Sequence, residues 1–195
     1  SGPTEFRGGR GRAIIGAGGY PSGTTGMDYV QISTTGNGND FGDLRVGNYG
    51  RGSFSSSTRG IVGGGAGSPY VASIEYQIIS SQGGSNDFGD LSIGLRFFRG
   101  TSNNNRGAGG VTNGIEFITF ATFGNGLDFG DLSTARSNAA GLSSNTRGVF
   151  GGGNPQSSPN NTDTMEYITI ATLGNVIDFG NLTSSTNSQM GTSNN

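Results

Sequence analysis

The chain repeats one five-residue motif, Asp-Phe-Gly-Asp-Leu, and this repetition limits the possible fold more than any other feature. The motif occupies residues 40–44, 87–91 and 128–132, and a fourth copy at 178–182 has Asn in place of the second Asp. Successive copies are 47, 41 and 50 residues apart. Self-similarity at such a period is typical of repeat proteins built from one supersecondary unit. We therefore predict a single module that is present four times.

Charged residues keep a constant distance from the motif. An Arg follows the first Asp of the motif by 19 residues in three copies, and an acidic residue precedes that Asp by 12 residues in all four. The 40 glycines and the many Ser and Asn residues would otherwise favour disorder, but a disordered chain has no reason to hold these spacings. The repeat-locked residues are Asp40, Asp87, Asp128 and Asp178, the preceding acids Asp28, Glu75, Glu116 and Glu166, and the bases Arg12, Arg59, Arg106 and Arg147.

Each module is predicted to contain about four short strands. One strand starts at the Arg and runs into glycines, as at residues 59–65, and the next is rich in β-branched and aromatic residues, as at 74–79. A turn with Gly and Asn leads to the motif, whose Phe and Leu are three apart with Gly between them, which indicates a bulged strand. A weakly apolar strand precedes the next Arg. No segment requires a helix, so the predicted fold class is all-β.

The order of these elements resembles the kelch repeat. From Arg136 to Leu182 the chain has an Arg, a small-residue strand, an apolar strand that ends in Gly-Gly, an aromatic strand and a short closing strand. The chain departs from the kelch pattern where that pattern usually has Trp, and Phe179 and its equivalents take that place. The resemblance implies a kelch-like β-propeller of four repeats of about 47 residues. The expected boundaries are an N-terminal arm at 1–11 and repeats at about 12–58, 59–105, 106–146 and 147–195.

The register of the repeats predicts how the ring closes. The final strand, near residues 189–193, has no Arg strand after it, whereas the first module has a strand at Arg12 with no clear strand before it. We expect these N- and C-terminal strands to pair in one blade, because closure removes exposed strand edges. An open array and ring completion by another subunit are alternatives, since solenoids use the same period.

The residue types present argue against catalysis. The chain has no Cys, His or Lys, so it lacks the thiol, the imidazole and the amine that most often serve as nucleophile, base or metal ligand. The Asp-Phe-Gly triplet is also found in protein kinases, but a kinase needs a Lys to pair with ATP. The absence of Lys therefore excludes a kinase. The net charge of −2 gives no basic field for nucleic acid. There is no apolar run near 18 residues for a membrane span. We expect no enzymatic activity, no cofactor and no metal.

The acidic residues follow the repeat symmetry, which an active site should break. Eleven of the 13 acids hold repeat positions. We interpret them as residues that cap turns or meet an Arg of an adjacent strand, since buried charges need partners. Two alternatives remain, a ring of carboxylates that binds calcium and a carboxylate pair for glycoside hydrolysis. The repeated glycine runs are interpreted as structural, because no Lys follows them as in a phosphate-binding loop.

Residues outside the shared register are the candidates for a contact surface. Arg and aromatic residues are enriched at protein interfaces, and loops frequently carry function. The candidates are Arg45, Tyr49, Arg51, Arg96, Phe97, Phe98 and Arg99, together with Tyr20 and Tyr70 from the loops of variable length.

The sequence of the repeats is also similar to that of repeats in structural proteins of tailed bacteriophages from aquatic bacteria. This resemblance implies a virion component of the tail, fibre or capsid surface, whose partners are other virion proteins and further copies of itself. We expect synthesis in the host cytoplasm, because no secretion signal is recognised at the N-terminus. The alternative hypothesis is a lectin-like module that binds host surface glycans through Tyr20, Tyr70 and the Asn- and Ser-rich loop at 154–164.

Overall fold

The computed structural model describes residues 11–16, 18–19, 22–97, 99–110, 112–155, 160–188 and 190–193. Within these ranges the chain forms fifteen β-strands and no helix, so the all-β prediction is confirmed. No described segment is therefore a helix of the length and hydrophobicity needed to cross a bilayer. Residues 1–10 of the predicted arm, and the candidate residues Tyr20 and Phe98, lie outside the described ranges.

The strands form four antiparallel sheets that follow one another along the chain. Sheet 1 contains β1 (Arg12–Gly16), β2 (Thr24–Gln31) and β3 (Asn39–Asn48). Sheet 2 contains β4 (Gly52–Ser55), β5 (Arg59–Gly63), β6 (Ser73–Ile78) and β7 (Asn86–Asp90). Sheet 3 contains β8 (Arg99–Ser102), β9 (Arg106–Gly110), β10 (Gly114–Thr119) and β11 (Leu127–Asp131). Sheet 4 contains β12 (Ala140–Ser143), β13 (Arg147–Gly151), β14 (Thr162–Thr169) and β15 (Ile177–Thr186).

The sheets are offset from the sequence repeats by one strand. Within every sheet the strands pair in chain order, but sheets 2, 3 and 4 begin with the strand that precedes the repeat Arg. Sheet 1 has three strands in the described part of the chain, and β1 pairs there with β2 alone. The expected partner of β1 near residues 189–193 is described only from residue 190, and residues 190–193 form no strand.

The predicted bulge is present in all four copies of the motif. In sheet 1, Met27 lies opposite Gly42 and Asp28 lies opposite Asp40, so that Phe41 is an extra residue on β3. The register shifts at the same place in the other three sheets. A bulge bends its strand and redirects a side chain. Here the bulged Phe41 is buried, with 2% of its surface exposed.

The hydrophobic core is divided among the boundaries between successive sheets. Sheets 1 and 2 share a cluster around Met27, Phe41 and Leu44, with Val62 packed against it. Sheets 2 and 3 share a cluster in which the motif residues Phe88 and Leu91 occur together with Phe120. A third cluster joins sheets 3 and 4 in the same way. Each buried Phe or Leu contributes about 1.5–3 kcal/mol, so every sheet is stabilised mainly through its neighbours.

Candidate interaction site at the end sheets

One hydrogen-bond pattern joins each sheet to the next. The Phe41 carbonyl oxygen accepts the Gly83 amide at 2.8 Å, and the Asp43 carbonyl oxygen accepts the Ser85 amide at 2.8 Å. The donors lie in the loop between β6 and β7, the third and fourth strands of sheet 2. The same pair of bonds recurs from residues 124 and 126 to residues 88 and 90, and from residues 174 and 176 to residues 129 and 131, at 2.8–3.0 Å. The motif edge of one sheet therefore docks against the loop of the following sheet.

The motif glycine allows this close approach. Gly42 has φ +132°, a conformation that side chains disfavour, and a Cβ built on it would lie 2.6 Å from the Gly83 carbonyl oxygen. Gly89 and Gly130 have similar φ angles, and a Cβ on either would also overlap the next loop. Glycine is thus required at these positions both by the backbone angle and by the adjacent sheet.

The repeat Arg residues reinforce the same boundaries. The Arg12 guanidinium lies 4.5 Å from the centre of the Tyr29 ring and donates a 3.0 Å hydrogen bond to the Ile79 carbonyl of sheet 2. Arg59 lies over Tyr76 and donates to the Phe120 carbonyl of sheet 3. The arrangement repeats where Arg106 lies over Phe117 and donates to the Ala171 carbonyl at 3.1 Å. The Tyr29, Tyr76 and Phe117 rings belong to the same sheet as the Arg, whereas each carbonyl belongs to the next sheet. These Arg residues therefore join sheets through carbonyl oxygens rather than through the repeat Asp residues.

The acids that precede the motif take part in the same junctions. Glu75 is fully buried, and its carboxylate accepts the Arg45 amide at 2.7 Å and the Arg51 guanidinium at 2.9 Å. Glu116 accepts the Ser92 amide at 3.1 Å. Both amides belong to the residue that follows the motif Leu of the preceding sheet. Each carboxylate therefore holds the backbone of that sheet just after the motif.

Glu166 forms a buried ion pair with an Arg outside the repeat register. Its Oε2 atom lies 2.6 Å from the Arg136 guanidinium, and both side chains are almost completely buried. Burial lowers the pKa of the Arg136 guanidinium, and the adjacent Glu166 carboxylate acts in the opposite direction. A buried charge of this kind would strongly destabilise the fold if its ion-pair partner were removed.

The first sheet has an exposed face at the position where its equivalents are covered. Ile32 is 67% exposed, whereas the equivalent Ile79, Phe120 and Ile170 are 8%, 4% and 0% exposed. The loop at residues 36–38 corresponds to the donor loops of the other sheets, but the Gly36 and Gly38 amides have no acceptor among the described residues. We call Asp28, Ile32 and residues 36–38 the leading face.

The last sheet has the complementary exposed face. Phe179 is 49% exposed, whereas Phe41, Phe88 and Phe129 are 2–3% exposed. Gly180 keeps a φ of +128°, but a Cβ built on it meets nothing within 4 Å. Arg147 lies 4.6 Å from the Tyr167 ring centre like its equivalents, yet its guanidinium donates to no carbonyl in the described residues. We call Arg147 and residues 179–183 the trailing face.

The repeat Asp residues lie at the surface. Asp40, Asp87, Asp128 and Asp178 are all exposed. Each is paired in register with the acid that precedes it, as Asp40 is with Asp28. Asp87 also forms an exposed ion pair with Arg45 at 2.6 Å. No group of three or more acidic side chains that could hold a metal occurs in the described ranges.

The candidate contact residues fall into three environments. Tyr70, Arg96 and Phe97 come together in the loops that follow β5 and β7, where the Arg96 guanidinium lies 5.1 Å from the Tyr70 ring centre and 5.4 Å from that of Phe97. Arg51 is an internal residue, because its side chain is 2% exposed in the ion pair with Glu75. Tyr49 and Arg99 are half-buried, and Arg45 is exposed.

The end faces were not among the residues singled out from sequence. The sequence does contain a signal for them, because Ile32, Phe179 and Gly180 occupy repeat positions whose equivalents contact a neighbouring sheet. Four modules in a row have three internal boundaries, so the first and last modules each carry one half of a further boundary. Counting boundaries rather than modules would have identified both faces.

A polar cleft of about 680 Å³ lies where the first strands of sheets 2, 3 and 4 converge. Its walls come from residues 53–57, 100–104, 141–143, 145 and 191–193, and Ser, Thr and Asn predominate in them. None of the lining side chains is ionisable. Such a cleft offers hydroxyl and amide groups to a neutral polar ligand and no acid or base for catalysis.

Comparisons with known proteins give a likeness of fold alone. No family model matches the chain, and no curated protein matches it. The chain is similar to the solved structure titled "Structure of YjhT", with a TM-score of 0.70 and 10% sequence identity. The match covers 89% of this chain and 64% of that chain, so the four sheets span less than two thirds of the longer protein.

Proposed function

We propose that the chain is a non-enzymatic structural protein that acts through protein–protein contacts at its two end faces. The observation that carries the proposal is the exposure of Ile32 and Phe179, whose equivalents are buried at every internal boundary. Exposed apolar groups that match a buried interface elsewhere in the same molecule favour a binding surface. The chemistry supports the same view, because the buried acids Glu75 and Glu166 are occupied in structural contacts.

The four sheets are, in this proposal, successive blades of a kelch-like propeller. Meander sheets joined by one repeated contact support a radial arrangement. Completion of the ring requires a partner for the open edge of β1 and a cover for the leading and trailing faces. Pairing of β1 with residues 189–193 would supply the fourth strand of sheet 1.

The assembly in which the protein works is, in this proposal, a bacteriophage virion. Support comes from the resemblance of the repeats to structural proteins of tailed phages. Quantitative mass spectrometry of purified particles whose genome encodes the chain tests it, with a fixed copy number per particle as the expected result. Absence from washed particles, with recovery only in the soluble lysate, would contradict the virion assignment.

A lectin-like role is the second candidate, and the polar cleft is the observation that favours it. Its hydroxyl and amide lining matches the hydrogen-bonding groups of a neutral sugar. Glycan-array binding by the purified chain tests this role, with loss of binding expected on Asn103→Ala. Asn37→Ala, which alters an exposed Asn outside the cleft, is the matched control. An array without signal would remove the lectin hypothesis.

A further inference from the structure

We propose that the partner of the end faces is a second copy of this chain, docked head to tail so that the trailing face of one copy covers the leading face of the next. This inference rests on the proposed assembly function and names its partner. The chain already contains the contact three times, at the boundaries between sheets 1 and 2, 2 and 3, and 3 and 4. The leading face has the donor half of that contact and the trailing face has the acceptor half, so the two faces are complementary to one another.

The backbone groups of the two faces match in number and type. At the internal boundaries, two loop amides donate to the carbonyls of the motif Phe and of the residue two positions after it. At two boundaries the amide of that second residue also donates to a loop Asn side chain, as Asp90 does to Asn125 at 3.0 Å. In the docked pair, the Gly36 and Gly38 amides donate to the Phe179 and Asn181 carbonyls, and the Asn181 amide donates to Asn37.

The charged groups of the faces are complementary as well. Arg147 has a positive guanidinium with no carbonyl partner in the described residues, and its equivalents donate to the carbonyls of Ile79, Phe120 and Ala171. The corresponding acceptor on the leading face is the Ile32 carbonyl. Asp28 has a carboxylate in the place where Glu75 and Glu116 accept the amide after the motif, and on the trailing face that amide belongs to Thr183.

The end of the chain is positioned to join the same contact. A Cβ built on Gly191 would meet the Leu142 side chain and lie 3.0 Å from the Gly141 carbonyl oxygen, and one built on Gly141 would lie 2.5 Å from the Gly100 carbonyl oxygen. Residues 190–193 thus continue the series formed by β4, β8 and β12. That position is the one of the missing first strand of sheet 1. In the docked pair this segment pairs with the open edge of β1 in the next copy.

A head-to-tail contact of this kind is heterologous, so each added copy exposes a new leading or trailing face. Such an interface produces a closed ring when the rotation between copies closes, and a filament when it does not. The inference therefore predicts association beyond the dimer, with one interface type throughout.

Two variants block one face each. Gly180→Ala places a methyl group on the trailing face, where the internal equivalents leave no room for a Cβ. Ile32→Asp places a charge on the leading face at a side chain that is exposed in the single chain. Gly174→Ala is the matched control, because Gly174 has φ +148° with nothing within 4 Å and lies in the same sheet as Gly180, away from both faces.

Sedimentation velocity over a concentration series measures the association. We expect the wild-type chain and Gly174→Ala to associate, and each blocking variant to associate about 100-fold more weakly. Gly180→Ala separates the backbone groups that form two or three hydrogen bonds, and Ile32→Asp places a charge where an apolar side chain is covered. A mixture of Gly180→Ala with Ile32→Asp retains one intact face on each chain. We expect this mixture to form 1:1 dimers that do not extend further.

Three results would overturn the inference. They are a wild-type chain that is monomeric at every concentration, a Gly180→Ala variant that associates like the wild type, and a mixture that forms no dimer. A monomeric wild type whose melting temperature falls further with Gly180→Ala than with Gly174→Ala would assign the contact to closure within one chain. The proposed assembly function is judged separately by recovery of the chain in particles, so the two failures are distinguishable.

Discussion

The motif glycine provides a direct test of how the sheets are joined. Gly42 and Gly83 both have positive φ angles, +132° and +147°, so that replacement by Ala strains the backbone at either position by about 1–3 kcal/mol. They differ in their surroundings, because a Cβ on Gly42 meets the Gly83 carbonyl at 2.6 Å and a Cβ on Gly83 meets nothing within 4 Å. Comparison of the two variants separates the steric effect from the backbone strain.

The additional cost at Gly42 follows from the two hydrogen bonds at this boundary. The built Cβ is about 0.8 Å closer to the Gly83 carbonyl than the 3.4 Å at which ordinary contact begins. Separating the loop from β3 by that amount weakens the bonds from Gly83 to Phe41 and from Ser85 to Asp43, both 2.8 Å long. Each contributes about 1 kcal/mol, and the packing of Phe41 loosens with them. We expect Gly42→Ala to cost about 2–3 kcal/mol more than Gly83→Ala.

Thermal unfolding followed by circular dichroism measures the difference. For a chain of this size, 1 kcal/mol shifts the melting temperature by about 2–4 °C, so Gly42→Ala should melt about 4–12 °C below Gly83→Ala. Both variants are compared at one low protein concentration, which keeps self-association from contributing. Equal melting temperatures would show that close approach of the loop is not what demands glycine in the motif, and the account of the sheet boundaries would then be wrong.

Four further substitutions probe the charged and aromatic contacts. Glu166→Gln leaves the buried Arg136 without its ion pair and should destabilise the chain by about 3–5 kcal/mol in urea unfolding; a loss below 1 kcal/mol would indicate that water reaches the pair. Asp87→Asn removes an exposed ion pair and should change the unfolding free energy by less than about 0.5 kcal/mol, and a larger loss would assign Asp87 a second role. Phe129→Ala should cost about 3–5 kcal/mol because Phe129 is buried. Phe179→Ala should cost less than half as much in dilute protein, and equal losses would show that Phe179 is covered within one chain.

The periodic features of the fold could be predicted from the sequence because each rests on a local cause. The bulge follows from the spacing of Phe41 and Leu44 around a glycine, since two apolar residues three apart cannot lie on one face of a regular strand. The strands follow from β-branched and aromatic residues such as those at 74–79. These causes act within a few residues, and the four copies repeat them.

The grouping of strands into sheets was harder to predict, because the repeat period does not show at which strand each sheet begins. The sequence shows where one repeat ends only by its strongest signals, which are the Arg and the motif. Residues 52–55, with the weak pattern Gly-Ser-Phe-Ser, join the following sheet as its first strand. Phe54 lies close to Gly100 and Gly107 of sheet 3. Contacts between residues so far apart in the chain leave no local trace.

The Arg residues outside the register show a second limit. Arg51 and Arg136 have no equivalents in the other modules, so sequence reasoning assigned Arg51 to a contact surface. The structure instead places the Arg51 side chain against Glu75 in sheet 2 and the Arg136 side chain against Glu166 in sheet 4, and both pairs are almost completely buried. Glu116, in sheet 3, accepts a hydrogen bond from the Ser92 amide instead. The sequence shows one acid at this position in every sheet. Asp28 is exposed and Glu116 is half-buried, whereas Glu75 and Glu166 are buried, so burial and partner depend on three-dimensional surroundings.

The end faces connect the repeat pattern with the proposed function. Repeat arrays that stay separate in water end in modules whose outer surface is polar. Here the leading face keeps Ile32, and the trailing face keeps Phe179 and the glycine that the internal boundaries require. Asn181 is the one departure from the motif on the trailing face, and its side chain donates a 3.1 Å hydrogen bond to Asp163 of the same sheet. A surface that preserves apolar residues, a positive-φ glycine and unpaired hydrogen-bonding groups together is adapted to be covered by another sheet of the same kind.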